Sequence, residues 1–193
     1  MNICLYGASS NSISREYIEK TAEFGKMLAE RGHNLVYGAG AGGLMGAAAN
    51  GVIAGGGKVI GVSPKFFRAD GVLFDGCDEM IYTDTMRERK QIMEQRSDAF
   101  VAVPGGIGTF DEFFEILTLK QLSRHTKPIA VYNICGYFDP LKNLLENAVS
   151  GGFMTENSLE LCKICDSADE VFDCLEKYRY EGRDISDYKE IGK

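Results

Sequence analysis

Short apolar runs separated by longer amphipathic stretches set the rhythm of this chain. Seven runs, Ile3–Tyr6, Asn34–Tyr37, Lys58–Val62, Glu79–Tyr82, Phe100–Val103, Pro128–Tyr132 and the weaker Lys163–Cys165, are rich in Val and Ile and too short for helices. They do not alternate apolar with polar positions, which predicts strands of a parallel sheet covered on both faces. Between them, Ser14 is a candidate N-cap for a helix over Arg15–Arg31, with Glu16 in its first turn and Gly32 as its stop. Further helical patterns run over Leu44–Ala54, Thr85–Arg96, Thr109–Leu122, Pro140–Ser150 and Ala168–Tyr178. Regular strand–helix alternation means βαβ units with right-handed crossovers, hence an open, doubly wound, mostly parallel α/β sheet of about six to seven strands. No composition break or repeat divides the chain, so residues 1–182 are expected to form one domain, with a polar, peripheral tail over 183–193. Ser63–Asp78 is a long irregular connection holding Pro64, Phe66 and Phe67, placed to act as a flap over a site.

Composition narrows the partners. The 193 residues carry 21 Lys+Arg against 28 Asp+Glu, a net charge of −7, which gives no bulk attraction for nucleic acid or anionic lipid. No apolar run approaches the ~18 residues of a membrane span, and the start Met-Asn-Ile-Cys-Leu-Tyr-Gly has no basic region of the kind that opens an export signal. These features point to the cytoplasm and to six free thiols rather than disulfides. Cys162-Lys163-Ile164-Cys165 lacks the second pair a structural zinc would need, so both cysteines are read as ordinary thiols and no metal is expected. His33 and His125 sit in turn-like contexts and are read as surface or capping residues.

Glycine is the departure from average: 23 residues, well above the ~7% typical of proteins. Two clusters follow strands, where open α/β sheets bind ligands. Gly38-Ala39-Gly40-Ala41-Gly42-Gly43 satisfies G-x-G-x-x-G ahead of a helix, with a phosphate role and tight packing by Gly42, Gly43 and Gly46 both open. A dinucleotide reading lacks the acid that should end the next strand, which here finishes Gly61-Val62-Ser63-Pro64. Pro104-Gly105-Gly106-Ile107-Gly108-Thr109-Phe110-Asp111-Glu112 is the stronger signal. Its glycines let backbone N–H groups face an anion at a helix N-terminus, with the Thr109 hydroxyl beside them. Glu112 has a plain reading as a dipole-favoured acid near the helix start, a role that Asp111 and Glu115 suit better. Met86–Arg96 is locally basic, and Arg89 and Lys90 could either meet an anionic substrate or line a solvated helix face. Phe113, Phe114, Ile116, Leu117 and Leu119 make the Glu112 helix apolar around much of its circumference, as either core or a dimer interface requires.

Met86-x-x-Arg89-Lys90 followed by Pro104-Gly105-Gly106-x-Gly108-Thr109-x-x-Glu112 resembles the paired signature of the Lonely Guy proteins, cytokinin riboside 5′-monophosphate phosphoribohydrolases once labelled lysine decarboxylases. Ser97-Asp98-Ala99-Phe100, Gly42-Gly43-Leu44-Met45-Gly46 and Lys127-Pro128 fit the same pattern, and the resemblance spans about residues 2 to 180. It implies a Rossmann-like fold, homodimers or larger assemblies, and release of a free base from a nucleoside 5′-monophosphate without metal or cofactor. It implies Arg89 and Glu112 as the essential pair, and substrate contacts at Arg89, Lys90, Gly106–Glu112 (Gly106, Ile107, Gly108, Thr109, Phe110, Asp111, Glu112) and Thr118. Gly105 in the same turn and Ser9, Gly42, Gly43 and Met45 in the earlier loops complete the candidate binding set. A further contact is implied before the fourth strand, where this chain reads Arg68-Ala69-Asp70-Gly71 and offers no clear match. Two rival readings remain. A carrier of molybdenum cofactor would share the glycine loops but would not need an Arg89/Glu112 pair, and an oxidoreductase would need the missing ribose-binding acid.

Overall fold

The computed structural model describes residues 1–68 and 72–188. Seven strands, β1 (Asn2–Tyr6), β2 (Asn34–Tyr37), β3 (Val59–Pro64), β4 (Glu79–Thr83), β5 (Ala99–Ala102), β6 (Ile129–Tyr132) and β7 (Lys163–Cys165), form one sheet in the order β4-β3-β2-β1-β5-β6-β7. Every pairing is parallel, with Ile3 opposite Leu35 on one side and Ala99 on the other. The long helices are α1 (Arg15–Glu30), α2 (Gly43–Ala54), α3 (Met86–Gln95), α4 (Ile107–Gln121), α5 (Asp139–Ser150) and α6 (Ala168–Glu176), and a single turn, α7 (Ile185–Tyr188), follows. The expected α/β architecture holds, with all strands parallel and boundaries shifted by one or two residues at most elements. Among the described residues no helix is long and apolar enough to cross a membrane.

Alternate residues of the central strands feed two cores. Ile3, Leu5, Val101 and Tyr132 face Phe24 and Leu28 of α1, Val52 of α2 and Phe172 of α6. Cys4, Tyr6, Phe100 and Val131 face Met93 of α3 and Phe113, Ile116 and Leu117 of α4. This double coverage is why the strands read as continuous apolar runs. The first face is unusually close-packed. A Cβ on Gly25 of α1 would lie 2.3 Å from the Ala48 carbonyl oxygen of α2, and one on Gly51 would lie 2.0 Å from that of Ala22. Part of the glycine excess therefore brings two helix backbones into contact rather than receiving a ligand.

The order of strands reverses at β1. The chain moves outward through β2, β3 and β4, then returns to place β5 on the other side of β1, so the loops after β1 and β5 diverge and open a crevice at the carboxyl edge. The Ala8 N–H still donates to the Pro104 carbonyl at 3.1 Å across the base of that crevice. The connection after β3 folds over the β2 loop: Ala41 N–H donates to Val72 O, Phe74 N–H donates to Ala39 O, and Gly40 bridges Leu73. The segment after Gly182, expected to be peripheral, packs back through Tyr188, which is buried in the second core, while Arg183 pairs with Glu160. Tyr188 is apolar enough to override the polar composition around it.

Candidate active site

A cavity of about 600 Å³ opens at the crevice. Its floor is the loop after β1 (Gly7–Asn11) and the α4 N-terminus (Gly106, Gly108, Thr109). One wall is apolar, from Met45, Phe67, Val72, Leu73 and Met86, and Arg89 and Glu112 close its depth.

Arg89 reaches the cavity because α3 starts in a fixed register. The Thr85 hydroxyl accepts the Glu88 N–H at 3.1 Å, and the Glu88 carboxylate accepts the Asp84 N–H at 2.8 Å, a reciprocal capping arrangement. One turn on, Arg89 and Met93 form the buried face of the helix. The Arg89 guanidinium, in a residue only 7% exposed, donates from Nε to the Val62 carbonyl at 3.0 Å and from Nη1 to Glu112 Oε1 at 2.7 Å. Its Nη2 lies where a side chain on Gly38 would be, 1.8 Å from the position of a Cβ there. Among the described residues Nη2 makes no hydrogen bond, so both of its N–H groups are available to a ligand.

Glu112 lies on the buried stripe of α4 with Thr109, Phe113 and Ile116, at the point where that stripe emerges from the core into the cavity. It is 9% exposed. Burial pushes its carboxyl above the ordinary carboxylate range, and the Arg89 cation opposes that push. The plain reading of Glu112 as a capping acid fails, since its carboxylate meets a buried guanidinium. At the start of α4, Gly106 is the N-cap, no side chain caps it, and among the described residues the N–H groups of Gly106, Ile107, Gly108 and Thr109 find no acceptor. This helix start is open to an anion.

The glycine-rich start of α2 is different. The Gly43 N–H donates to Asn11 Oδ1 at 2.9 Å, and the Leu44 and Met45 N–H groups both donate to the Ala8 carbonyl. These three donors are spent inside the protein, so the start of α2 does not offer them to a phosphate. Gly42 and Met45 still line the cavity, but Gly43 does not.

Of the other candidate residues, Ser9, Gly106, Gly108 and Thr109 line the cavity with Arg89 and Glu112. Gly105 lies beneath it, where a Cβ would stand 2.0 Å from Thr109 Oγ1. Lys90 does not face the cavity. It pairs with Asp111 at 3.0 Å and with Glu115, both on the outer side of α4, and this is the role those acids take instead of capping. Ile107, Phe110, Asp111 and Thr118 line an outward groove along α4. Residues 69–71, where a contact before the fourth strand was sought, lie outside the described residues. The glycine loop after β2 supplies Gly38 to the cavity and the expected flap supplies Phe67, whereas Asn11, Val72 and Leu73, which also line it, were not anticipated from the sequence. Cys162 and Cys165 are free thiols, and burial pushes the Cys162 thiol up to about 12, which suits an inert group. His125, expected at the surface or as a cap, is buried with Nε2 2.8 Å from the Ile116 carbonyl oxygen of α4.

Residues 45–175 match the family model described as possible lysine decarboxylase. The chain is 39% identical over 176 residues to the cytokinin riboside 5′-monophosphate phosphoribohydrolase LOG of Oryza sativa, covering 91% of this chain and 73% of that protein. The chain belongs to this phosphoribohydrolase family. A second member, the cytokinin riboside 5′-monophosphate phosphoribohydrolase of Mycobacterium tuberculosis, is 41% identical over 165 residues, 86% of this chain and 88% of its own length. The molybdenum cofactor carrier protein of Chlamydomonas reinhardtii superposes with a TM-score of 0.69 at 23% identity, covering 91% of this chain and 96% of that one. The molybdenum cofactor binding protein of Rippkaea orientalis superposes at 0.68 with 20% identity, covering 91% and 94%. At those identities the carriers share the fold, which extends beyond the phosphoribohydrolase family.

Proposed function

We propose that this chain is a phosphoribohydrolase that cleaves the N-glycosidic bond of adenosine-type nucleoside 5′-monophosphates, N6-modified or plain, releasing free base and ribose 5-phosphate. The observation that carries this reading is the buried Arg89–Glu112 pair set into a cavity beside an uncapped helix start. A phosphate carrier needs the helix start but not the pair. The 5′-phosphate sits on the N–H groups of Gly106, Gly108 and Thr109, and the base lies against the apolar wall of Met45, Phe67, Val72 and Leu73. This leaves the sugar over Glu112.

Bond cleavage puts positive charge on C1′ and the ring oxygen. A carboxylate held in a low-dielectric pocket stabilises that charge and orients the water that adds to C1′. Arg89 is not the acid, because a guanidinium holds its proton in proteins. It keeps Glu112 aimed and ionised against burial, and offers Nη2 to the substrate. Purified protein incubated with AMP and with isopentenyladenosine monophosphate should release free base, read by chromatography. Binding of a pterin phosphate with no base released from either nucleotide would favour the carrier instead.

Gly38 belongs to this machinery by its absence of a side chain. Gly38→Ala should displace the guanidinium and lower kcat/KM about tenfold, a loss of ~1.4 kcal/mol of transition-state stabilisation. Wild-type kinetics in that variant would show that Nη2 has no set position.

The family resemblance also leads us to propose a homodimer, with α4 at its interface. Phe113, Ile116 and Leu117 of α4 enter the core, but Ile107 is 86% exposed, and Phe110 and Phe114 also face outward. The exposed residues form an apolar stripe alongside the Lys90–Asp111–Glu115 cluster. Phe114→Asp should convert the protein to a monomer in light scattering, since an unpaired charge at an interface core costs several kcal/mol. A dimer unchanged by that substitution would place the interface elsewhere.

A further inference from the structure

The turn after β6 carries backbone strain that the proposed chemistry leaves unused. Cys135 and Gly136 both have positive φ, 54° and 71°, and a cysteine avoids that region unless its surroundings enforce it. Asn133 does the enforcing: its Oδ1 accepts the Phe138 N–H at 2.6 Å, and its Nδ2 donates to Asp139 Oδ1 and Asp166 Oδ1, both at 2.8 Å. The turn swings Tyr137 back toward the end of β5. There its hydroxyl donates a 2.6 Å hydrogen bond to the Gly105 carbonyl, and Tyr17 of α1 stands edge-on to its ring, 6.3 Å between centroids.

That carbonyl belongs to the peptide joining Gly105 to Gly106. The peptide is trans, so its C=O and N–H point in opposite directions. With the carbonyl held away by Tyr137, the Gly106 N–H turns toward the cavity, which Gly106 lines and Gly105 does not. A peptide flanked by two glycines can flip at little steric cost. The flipped form would present a carbonyl oxygen, rather than a donor, to any anion. Among the described residues no other donor holds the Gly105 oxygen.

We propose that Tyr137 is a positioning residue whose hydroxyl locks the Gly105–Gly106 peptide with its N–H facing the phosphate group of the substrate. The proposal rests on the reading that this group binds at the start of α4. Tyr137 touches no reacting atom, so its removal should weaken phosphate recognition rather than bond cleavage.

The test is Tyr137→Phe, which keeps the ring and removes the hydroxyl. Calorimetry would compare inorganic phosphate, ribose 5-phosphate and adenosine as ligands, alongside kcat and KM for AMP. Affinity for phosphate and ribose 5-phosphate should fall about three- to ten-fold, the worth of one such hydrogen bond. KM for AMP should rise by a similar factor, with kcat within about twofold. Adenosine affinity should not change, and the melting temperature should fall by no more than the few degrees one hydrogen bond is worth. Unaltered phosphate and ribose 5-phosphate affinity, an equal loss for adenosine, or a parent protein that binds no phosphate would each overturn the proposal. A parent protein that binds phosphate but releases no base from AMP would overturn the hydrolase reading alone, and the phosphate affinities of the two proteins would still decide the role of Tyr137.

Discussion

Glu112→Gln is expected to lower kcat for base release by ~10²-fold or more, the scale of losing one preorganised electrostatic group at a developing charge. The substitution is nearly isosteric. A glutamine oxygen can still accept from Arg89 Nη1 where Oε1 does now, 2.7 Å away, so the cavity keeps its shape and KM should move little. What disappears is the negative charge that the proposed mechanism places against C1′. Single-turnover release of adenine from AMP measures the step directly, and undiminished turnover would move the catalytic charge to another residue. The pH profile gives a second reading. Burial raises the Glu112 carboxyl, and the working form is ionised, so kcat should climb with pH along an acid limb lying above the ordinary glutamate value of ~4.3. That limb should vanish from the residual activity of Glu112→Gln.

The local sequence around Glu112 left a capping reading open, with Asp111 the first acid after the glycines, and it was the resemblance of the paired motifs to the phosphoribohydrolase signature that singled Glu112 out. The sheet was legible from local pattern alone, since strands covered on both faces carry unbroken apolar runs. Lys90 was not legible. It adjoins Arg89, and two adjacent bases look like one patch. A helix turns ~100° per residue, so when Arg89 points into the core its neighbour must point elsewhere, and Lys90 meets Asp111 and Glu115 instead. Only the tertiary pairing of α3 with α4 decides which of the two bases enters the cavity. The start of α2 left phosphate binding and packing both open in the sequence. Its glycines fit an anion loop, but Asn11 and the Ala8 carbonyl, more than thirty residues earlier, take its donors. Gly38 and Tyr137 act through non-local neighbours, Arg89 and Gly105; the glycine loop marked the place of Gly38 but not its role, and Tyr137 carries no local signature.

Arg89→Met should produce the largest loss of stability among single changes at the site. It leaves a carboxylate nine-tenths buried with no cation, and breaking a buried pair from one side costs about 3–5 kcal/mol. At ~2–4 °C per kcal/mol for a chain of this size, the melting temperature should fall by roughly 10 °C. The sign of the pH dependence follows from the group left behind. Arg89 is the chief influence lowering the Glu112 pKa, so in the variant that pKa climbs further. A buried acid with a raised folded-state pKa is tolerated while protonated and destabilises as pH rises through that value. The deficit relative to the parent should therefore be small in mild acid and full near neutrality. Adding Glu112→Gln removes the uncompensated charge, so the double variant should recover most of the stability at pH 7 while remaining without activity. Denaturant unfolding of the parent, both single variants and the double variant separates the two effects. If the double variant is no more stable than Arg89→Met, the loss lies in the bond from Nε to the Val62 carbonyl, and the ion pair is not what holds the guanidinium in place. If it recovers stability and activity together, the charge pair has no part in catalysis.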